Sequence, residues 1–207
     1  MKHLLFLLFL ALAHAAQAQS LYPELPYNTW DMAISRKFTK HAKLIDALSN
    51  QYLGFSDRKG NICGFGYYLD KRGNQRIGIF NEGEFIYGIT LMGEKAVIGT
   101  ERNFACYSIT DQTLLFVMNN KVREQKETAT RFVTIDYDNG DRYLGESRDG
   151  KADGLGIYYY ANGDFWFGQF SNGQRNGFGC LFANDYTLTA GQWSDGQPIR
   201  ISAAKAK

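Results

Sequence analysis

Histidine is scarce in this sequence, and its scarcity limits the chemistry that the chain can carry. Of the three histidines among 207 residues, His3 and His14 stand near the beginning. A nucleophilic triad needs a base beside the nucleophile, and that base is most often histidine. His41 is the only candidate further along, and it stands between Lys40 and Lys43, where a solvated side chain is expected. We therefore expect a protein that is not an enzyme.

Cysteine is also scarce: Cys63, Cys106 and Cys180 are the three in the chain. An odd number allows at most one disulfide within the chain, and the spacing matches no zinc-binding pattern. We interpret all three as small buried hydrophobic residues, with a Cys63–Cys106 disulfide as the alternative.

Motifs for metal ions and phosphate groups are incomplete. The run from Asp136 to Asp141 resembles a calcium-binding loop, but it lacks the required glycine position and the distal glutamate. The Gly-x-Gly sequences at 64–66 and 177–179 lack the third glycine, the Lys-Ser/Thr pair and the following helix of phosphate-binding loops. The aspartates that could form a sugar-cleaving pair stand at predicted turns, where Asp is expected for backbone reasons. We therefore predict no metal site and no cofactor.

Long apolar runs are lacking except at the beginning of the chain. Lys2 precedes an apolar run from Leu4 to Leu12, and Ala16-Gln17-Ala18 offers small residues at the spacing that a signal peptidase requires. We predict a signal peptide over 1–18, cleaved after Ala18, and hence a secreted or periplasmic protein. A short membrane anchor is the alternative.

Charge of one sign is lacking as well. The formal net charge is +2, and the basic residues are scattered. The sequence therefore favours neither nucleic acid nor an anionic membrane as a partner. Residues 199–207 are expected to be a solvated tail.

An amphipathic helix is predicted before the glycine-rich part of the chain, in a unit over 19–54. After an extended lead, Asn28 or Thr29 can cap a helix that runs to about Tyr52, and Gly54 ends it. Its apolar residues recur at three- and four-residue steps or sums of them: Trp30, Ile34, Phe38, Ile45, Leu48 and Tyr52. This stripe is expected to pack on the protein's own sheet, and docking of a partner helix is the alternative.

Glycine is abundant from about residue 60 onward, and its spacing is periodic. Gly145, Gly168 and Gly191 are spaced by 23 residues. Two stretches ninety residues apart, beginning at Gly66 and Gly156, share the same glycine spacing. A fixed period of this length is typical of repeat architectures, in which each unit is one small supersecondary element.

The periodic motif resembles a known repeat. The pattern Y-x-G-x-W-x-x-G-x-x-x-G-x-G, followed by N-G, resembles the MORN repeat (membrane occupation and recognition nexus), with its best copies beginning near Tyr143, Trp166 and Gly191. The resemblance implies a chain of antiparallel β-hairpins in a single twisted sheet. The predicted fold is therefore mainly β, with MORN-like hairpin repeats over 60–198 that diverge in 100–130, and an N-terminal helical segment.

The turns suggest a register for these hairpins. Asn162-Gly163 between two apolar runs predicts a two-residue type I′ turn, in which both central residues have positive φ. Pairing outward from the corresponding turns predicts three cross-strand pairs: Phe65–Phe80, Leu155–Phe170 and Phe178–Trp193.

Six aromatic residues form the candidate binding surface. Because side chains alternate along a strand, this register places four of them on one face of the sheet and two on the other. The two groups are Tyr158, Tyr160, Phe165 and Phe167, and Trp166 and Trp193. A large exposed apolar face usually marks a binding site, although the first face could instead pack against the helix or a neighbouring segment.

Three functions are compatible with these features. The first is a non-enzymatic protein-interaction or scaffolding module, with a protein partner or self-association through exposed edge strands. The second is a cell-envelope protein that binds a glycan through its Tyr and Trp rings, or a lipid. The resemblance implies a link to acidic phospholipids, but Arg142, Lys151 and Arg175 are the main basic residues of the array. The third is a hydrolase with its site in 100–131. We favour the first.

Overall fold

The structure, a computed structural model, describes residues 40–45, 49–100, 103–110, 114–118, 121–124 and 130–205. The predicted signal peptide and the predicted helix as far as residue 39 lie outside these residues. Every regular element in the described part is a β-strand, and within each sheet every strand pairs antiparallel with its neighbours in the sequence. The structure thus confirms the predicted mainly β fold of antiparallel hairpins.

The first sheet has nine strands in the order of the sequence. They are β1 (Lys40–Ile45), β2 (Gln51–Ser56), β3 (Ile62–Leu69), β4 (Gln75–Asn81), β5 (Glu84–Met92), β6 (Lys95–Gly99), β7 (Asn103–Ser108), β8 (Leu114–Met118) and β9 (Lys121–Glu124).

The second sheet has seven strands, again in the order of the sequence. They are β10 (Thr130–Asp136), β11 (Arg142–Arg148), β12 (Lys151–Tyr159), β13 (Phe165–Ser171), β14 (Gln174–Phe182), β15 (Thr187–Ser194) and β16 (Gln197–Lys205). The divergent stretch over 100–130 therefore contains the change from one sheet to the other.

The two sheets pack face to face, which is where the fold departs from the single sheet that was expected. The ring of Phe65 in β3 lies 6.2 Å from that of Phe167 in β13, and Tyr107 in β7 lies 5.4 Å from Phe132 in β10. One cluster of buried side chains draws on both sheets. An apolar sheet face must be buried against another layer, and each sheet covers the other. We call these two faces inner, and the opposite two outer.

The predicted helix is wrong over 40–45 and from Gln51 onward, where the structure has strands. Lys40–Ile45 is strand β1, and it pairs with β2, which contains Tyr52. Gly54 does not end a helix but lies opposite Gly66 of β3. Tyr52-Leu53-Gly54 is thus the first copy of the repeat motif, one hairpin earlier than the glycine spacing had indicated. Pairing between neighbouring strands overrides the local helical pattern.

The predicted register is wrong by one residue in all three hairpins. Leu155 lies opposite Gln169, not Phe170. Phe65 lies opposite Ile79, not Phe80, and Phe178 lies opposite Gln192, not Trp193. A shift of one residue moves every side chain of a strand to the other face relative to its partner. The distribution of aromatic residues between the two faces therefore changes.

The error comes from the length of one class of loop. The loop at Asn162 has three residues, because the Tyr160 N–H donates to Asp164 O at 2.9 Å and the Gly163 N–H donates to Tyr160 O at 3.0 Å. Gly163 has φ 90°, as in a type I turn followed by a left-handed residue. Two-residue turns with positive φ at both positions occur at the opposite ends of the hairpins: Glu82-Gly83, Asp149-Gly150, Asn172-Gly173 and Asp195-Gly196.

Two rows of glycines run across the sheets at right angles to the strands. In the first sheet the paired glycines are Gly54, Gly66, Gly78, Gly88 and Gly99. In the second sheet they are Gly145, Gly156, Gly168, Gly179 and Gly191. These rows explain why interior glycines recur in the strands, which they would otherwise weaken.

An aromatic ring on the outer face lies over each of three glycine pairs. A Cβ atom at Gly145 or Gly156 would overlap the side chain of Tyr143, and a Cβ atom at Gly168 or Gly179 would overlap Trp166. In the first sheet the ring is that of Tyr52, over Gly54 and Gly66. The motif Tyr/Trp-x-Gly therefore has a steric cause: the glycines are the floor on which the ring lies.

The strands bend around these rings. The hydroxyl of Tyr143 donates to the carbonyl oxygen of Glu146 at 2.6 Å, and that of Tyr52 donates to Phe55 O at 2.8 Å. In a straight strand a residue three positions on is about 10 Å away, which is beyond the reach of a tyrosine. The register shifts between Gly145 and Ser147 mark the bulge where the strand turns, as bulges do.

Substitution of Gly156 by alanine tests the floor. We expect Gly156→Ala to lower the free energy of unfolding by about 1–3 kcal/mol, because the new methyl group overlaps the Tyr143 ring in an overpacked site. Urea denaturation measures the change. In a Tyr143→Leu background, where no ring is present, the same substitution should cost much less. Equal costs in the two backgrounds would contradict the steric explanation.

The loop over 183–187 contains a residue, Tyr186, whose substitution should stabilise the protein. Tyr186 occupies the position that Gly163 has in the preceding loop, with φ 66°. A left-handed conformation costs a non-glycine residue about 1–2 kcal/mol, and glycine loses part of that gain through backbone entropy. We expect Tyr186→Gly to raise the free energy of unfolding by about 0.5–1 kcal/mol.

Gly163→Ala is the matched control for this exchange. A Cβ atom at Gly163 meets nothing closer than 3.8 Å, so only the backbone conformation is penalised. It should lower the free energy of unfolding by about 1–2 kcal/mol. If both substitutions shifted thermal stability in the same direction, the equivalence of the two loops would be wrong.

Candidate functional site

Phe165 and Phe167 lie on the inner face and are part of the core between the sheets. Phe167 is fully buried. Phe165 stacks on Phe182, with ring centroids 4.5 Å apart and planes 8° from parallel, and its edge meets Tyr67 of the first sheet at 5.7 Å. These two rings of the candidate surface hold the sheets together.

Trp166 and Trp193 lie on the outer face, but they too are buried. They belong to a line of ring contacts that begins at Tyr143: Tyr143 to Phe170 at 5.0 Å, Phe170 to Trp166 at 4.7 Å, and Trp166 to Trp193 at 5.8 Å. Trp166 has 0% and Trp193 4% of its surface exposed. We assign them to a second core, which the bent strands enclose.

Tyr158 and Tyr160 lie on the same outer face as the two tryptophans, in contrast to the predicted division between faces. Tyr158 is directly opposite Trp166, and both tyrosines pack against the outer cluster while staying partly accessible. Their rings are 4.9 Å apart. Of the six predicted surface residues, these two alone combine an outer position with an accessible ring.

Tyr137 completes this surface, and the sequence interpretation missed it. Its ring lies 5.6 Å from that of Tyr158, and 38% of its surface is exposed. The signal was present, because Tyr137 stands 23 residues before Tyr160, which is the repeat period. We call Tyr137, Tyr158 and Tyr160 the tyrosine face.

Hydrogen bonds between successive loops hold the tyrosine face in place. Asn139 Oδ1 accepts the Asp141 N–H at 3.1 Å. The Asp141 carboxylate accepts the Ala161 N–H of the next loop at 2.9 Å and the Tyr158 hydroxyl at 2.8 Å. The recurring Asn-Gly-Asp sequence is thus a clasp between neighbouring hairpins.

The clasp repeats one hairpin further on. Asp164 Oδ1 accepts the Asn184 N–H at 2.8 Å, and Asn162 Oδ1 accepts the Asp164 N–H at 3.0 Å. We call the loops over 137–141, 160–164 and 183–187 the loop ladder. The aspartates were expected to stabilise their own turns. Asp141 and Asp164 also accept a hydrogen bond from the backbone of the next loop.

Asp141 interacts electrostatically with Tyr137 and Tyr158 of the tyrosine face. The hydrogen bond from the Ala161 N–H, followed by that from Tyr158, lowers the pKa of the Asp141 carboxyl below its usual value. Burial, followed by the hydrogen bond to Asp141, raises the pKa of Tyr158. Burial and then the charge of Asp141 raise the pKa of Tyr137. At neutral pH the site thus presents neutral phenols beside an ionised carboxylate.

Aspartate outnumbers basic residues around the tyrosine face. The loops and their flanking residues over 136–142, 160–164 and 183–187 contain five aspartates and one arginine, Arg142. That arginine forms an ion pair with Asp136. The rim of the tyrosine face is therefore acidic.

Other candidate chemistry does not assemble in the described residues. Within the described ranges, no three His, Cys, Asp or Glu side chains are grouped so that they could hold a metal ion. All three cysteines are free thiols, so the alternative Cys63–Cys106 disulfide is not formed. Burial raises the pKa of Cys63 to about 11. Among the residues placed by the structure, no helix is long and apolar enough to span a membrane.

Comparison with known families identifies the repeat unit. Residues 143–165 and 166–186 match the family model of the MORN repeat. The first match covers β11 and β12, and the second covers β13 and β14, so each repeat is one hairpin with the loop that follows it. The glycine rows extend the same unit into strands on either side. No curated protein matches the sequence.

The ionised state of Asp141 should contribute to stability in a pH-dependent way. Its pKa is lowered in the folded state, so the contribution is present above the pKa of the unfolded chain, about 3.9, and is lost as the pH falls through the folded value. We expect Asp141→Asn to destabilise the protein at pH 7, and the difference from wild type to shrink at pH 3. Urea denaturation at both pH values measures it.

Asp138→Asn is the matched control for this experiment. Asp138 stands in the same loop and accepts no hydrogen bond from the described residues. It should show little difference from wild type at either pH. A destabilisation by Asp141→Asn that does not change with pH would contradict the assignment of the clasp to the charged form.

Proposed function

We propose that this chain, which contains MORN repeats, is a non-enzymatic protein-interaction module that docks a protein partner on the tyrosine face. MORN repeats are generally protein- or membrane-interaction modules. We further propose that the protein is exported, with removal of 1–18, and acts in the periplasm or outside the cell. Of the two general roles of MORN repeats, protein and membrane interaction, the proposal chooses the first and assigns it to one surface.

The observation that carries the proposal is an aromatic surface that remains accessible after two cores have been filled. Tyr137 is 38% exposed, and Tyr158 and Tyr160 are partly accessible beside it. Partly buried Val133, Ile135 and Leu181 extend the surface on the same outer face. Tyrosine is enriched at protein interfaces, since it supplies large apolar area with a polar end.

The surface is also rigid before it binds. Tyr158 contacts Tyr137 on one side and Tyr160 on the other, and its hydroxyl is held by Asp141. Ordering of side chains on binding costs about 0.5–1.5 kcal/mol for each mobile residue. A surface whose rings are already fixed avoids much of that cost, which supports a role in recognition.

Acidic lipid is disfavoured as the partner because the basic residues of the array have partners of their own. Arg142 pairs with Asp136. Lys151 Nζ donates to Asn172 Oδ1 at 2.9 Å. The ion pair offsets the charge of Arg142. The bond to a neutral amide holds Lys151 in place without removing its charge, and the acidic rim repels anionic headgroups.

Catalysis is disfavoured at three carboxylates of the array because they have structural partners. Asp141 accepts backbone and tyrosine hydrogen bonds, and Asp136 is ion-paired. Asp153 accepts the Asn172 N–H at 3.2 Å. Each stabilises a turn or a neighbouring hairpin, which supports a binding role over a hydrolytic one.

A photo-crosslinking amino acid in place of Tyr137, in the full-length protein made in its own cells, tests the proposal. We expect a discrete crosslinked product with one other protein. The same amino acid in place of Leu115, which is 42% exposed on the first sheet, is the matched control and should give no such product. Tyr160→Ser should reduce the Tyr137 product about tenfold, as loss of an interface hot-spot residue does.

The alternatives predict other results. Products of equal yield from both positions, or no protein product, would sink the proposal. Binding to a glycan array that is lost in Tyr158→Ala would instead support the glycan-binding alternative. Flotation with acidic vesicles would support lipid binding.

A further inference from the structure

The first sheet contains a cation on the ring that corresponds to Tyr158. Tyr68 stands two residues beyond Gly66 of the glycine row, as Tyr158 stands two beyond Gly156. Directly opposite Tyr68 is Arg76, whose guanidinium carbon lies 5.9 Å from the centre of the Tyr68 ring. This is the distance at which a cation is attracted to the electron-rich face of a ring.

The second sheet lacks that cation at the same place. The residue opposite Tyr158 is Trp166, and no described arginine or lysine stacks on a ring of the tyrosine face. Arg175 is near enough to Tyr160 to oppose the rise in its pKa, but its Nη2 donates to Gly196 O at 3.1 Å. The chain thus fills this position with its own guanidinium in one sheet and leaves the rings without one in the other.

The loops beside these rings also differ in charge between the sheets: the loop in the first sheet contains basic residues, and the loops in the second sheet are acidic. The loop that follows Tyr68 reads Asp70-Lys71-Arg72-Gly73-Asn74, with two basic residues. The loop ladder of the second sheet has Asp138, Asp141, Asp164 and Asp185. A surface with one sign of charge attracts the opposite sign, both on approach and in the complex.

The hydrogen bonding of the tyrosine face favours a cationic ligand further. The Tyr158 hydroxyl donates a hydrogen bond to the Asp141 carboxylate. This bond places a negative charge beside the phenol and increases the electron density in its ring. A cation on the ring then meets the quadrupole of the ring and the charge of the carboxylate together. Desolvated contacts of this kind are stronger than exposed ones.

We infer that the tyrosine face and the loop ladder dock a basic segment of the partner protein, with an arginine or lysine side chain on the tyrosine rings and its neighbours against the aspartates. The inference rests on the proposed function as a protein-interaction module and adds the chemical class of the partner. The occupant supplies from outside the group that Arg76 supplies to Tyr68 within the first sheet.

Titration of the full mature chain with short peptides tests the inference. The probes are two Gly-Ser peptides of equal length, one with several arginines and one with glutamates in their place. Binding is followed by the NMR resonances of the tyrosine rings. We expect saturable binding of the arginine peptide, with shifts at Tyr137, Tyr158 and Tyr160 and weaker binding as salt is raised. The glutamate peptide should not bind.

Conservative variants separate the attraction of a cation to a ring from apolar contact. Tyr137→Phe keeps the ring and should keep the affinity. Tyr137→Leu keeps apolar area without the ring and should raise the Kd about fivefold. Asp138→Asn should raise the Kd and reduce the salt dependence. Asp149→Asn, the same change of charge at the opposite end of the hairpins, should leave both unchanged.

Several results would overturn the inference. Equal binding of the two peptides would do so, as would equal affinity of the Leu and Phe variants at Tyr137. Binding to phosphocholine vesicles without binding of the arginine peptide would identify a lipid headgroup as the ligand instead. If the crosslinked protein product at Tyr137 formed while the arginine peptide did not bind, the proposed function would stand and this inference alone would fall.

Discussion

An aromatic ring that lies over two glycines of adjacent strands sets the local geometry at three places, one in the first sheet and two in the second. Tyr143 covers Gly145 of its own strand and Gly156 of the next. A shift of either strand by one residue would bring a side chain beneath the ring, where no room exists for a Cβ atom. At these three strand pairs the ring therefore enforces the register, and the turns adopt the lengths that this register requires. Ordinary hairpins show the opposite dependence, since turn length sets register in them.

The same rings decide which residues remain for recognition. To hold a ring against the glycine floor, the strand bends at a bulge and encloses it, so Trp166 becomes an interior residue although it lies on an outer face. Trp193 is buried against Trp166. Two tyrosines of the neighbouring strand β12 and its loop lie nearer the loop ladder. Tyr158 and Tyr160 therefore keep part of their rings accessible, at the end of the hairpin where the loops form their clasps. The proposed binding surface, the tyrosine face, therefore lies at the edge of the outer core.

The sequence was sufficient for the hairpins and insufficient for their register, and the reason is visible in two Asn-Gly dipeptides. Asn162-Gly163 stands in a three-residue loop, whereas Asn172-Gly173 forms a two-residue turn with φ of 49° and 85°. Local preference is similar in both. The difference lies in the neighbours: the Asn184 side chain donates to Asn162 O, and the Gly173 N–H donates to Ala152 O. Contacts between hairpins are not encoded in either dipeptide.

Tyr137 shows what closer use of the period could have found, and the two-sheet arrangement shows what it could not. Tyr137 stands one repeat of 23 residues before Tyr160, so its place on the surface could have been predicted from the period. The packing of Phe65 on Phe167 joins residues about a hundred positions apart, and neither repeat contains a sign of the other. Periodicity reveals the unit and its local pairing, while the number of layers depends on which faces are apolar in three dimensions.

A buried carboxyl group, that of Glu146, connects the packing of the two sheets to the second sheet's hairpins, which carry the proposed site. Glu146 occupies the bulge of β11, where its Oε2 accepts the Leu155 N–H at 2.7 Å. Gln169 does the same for Phe178 at 2.8 Å in the next repeat. Glu146 differs in that its Oε1 also accepts the hydroxyl of Tyr107 in the first sheet, at 3.0 Å.

This bond fixes one sheet against the other beside the strand that leads into the loop ladder. A buried carboxyl group that loses a hydrogen bond costs free energy, so relative sliding of the sheets would be opposed by loss of the bond between Tyr107 and Glu146. The two sheets are thereby held as one body. The tyrosine face belongs to the second sheet, so it is held in place both by the clasps of the loop ladder and by the packing of that sheet against the first.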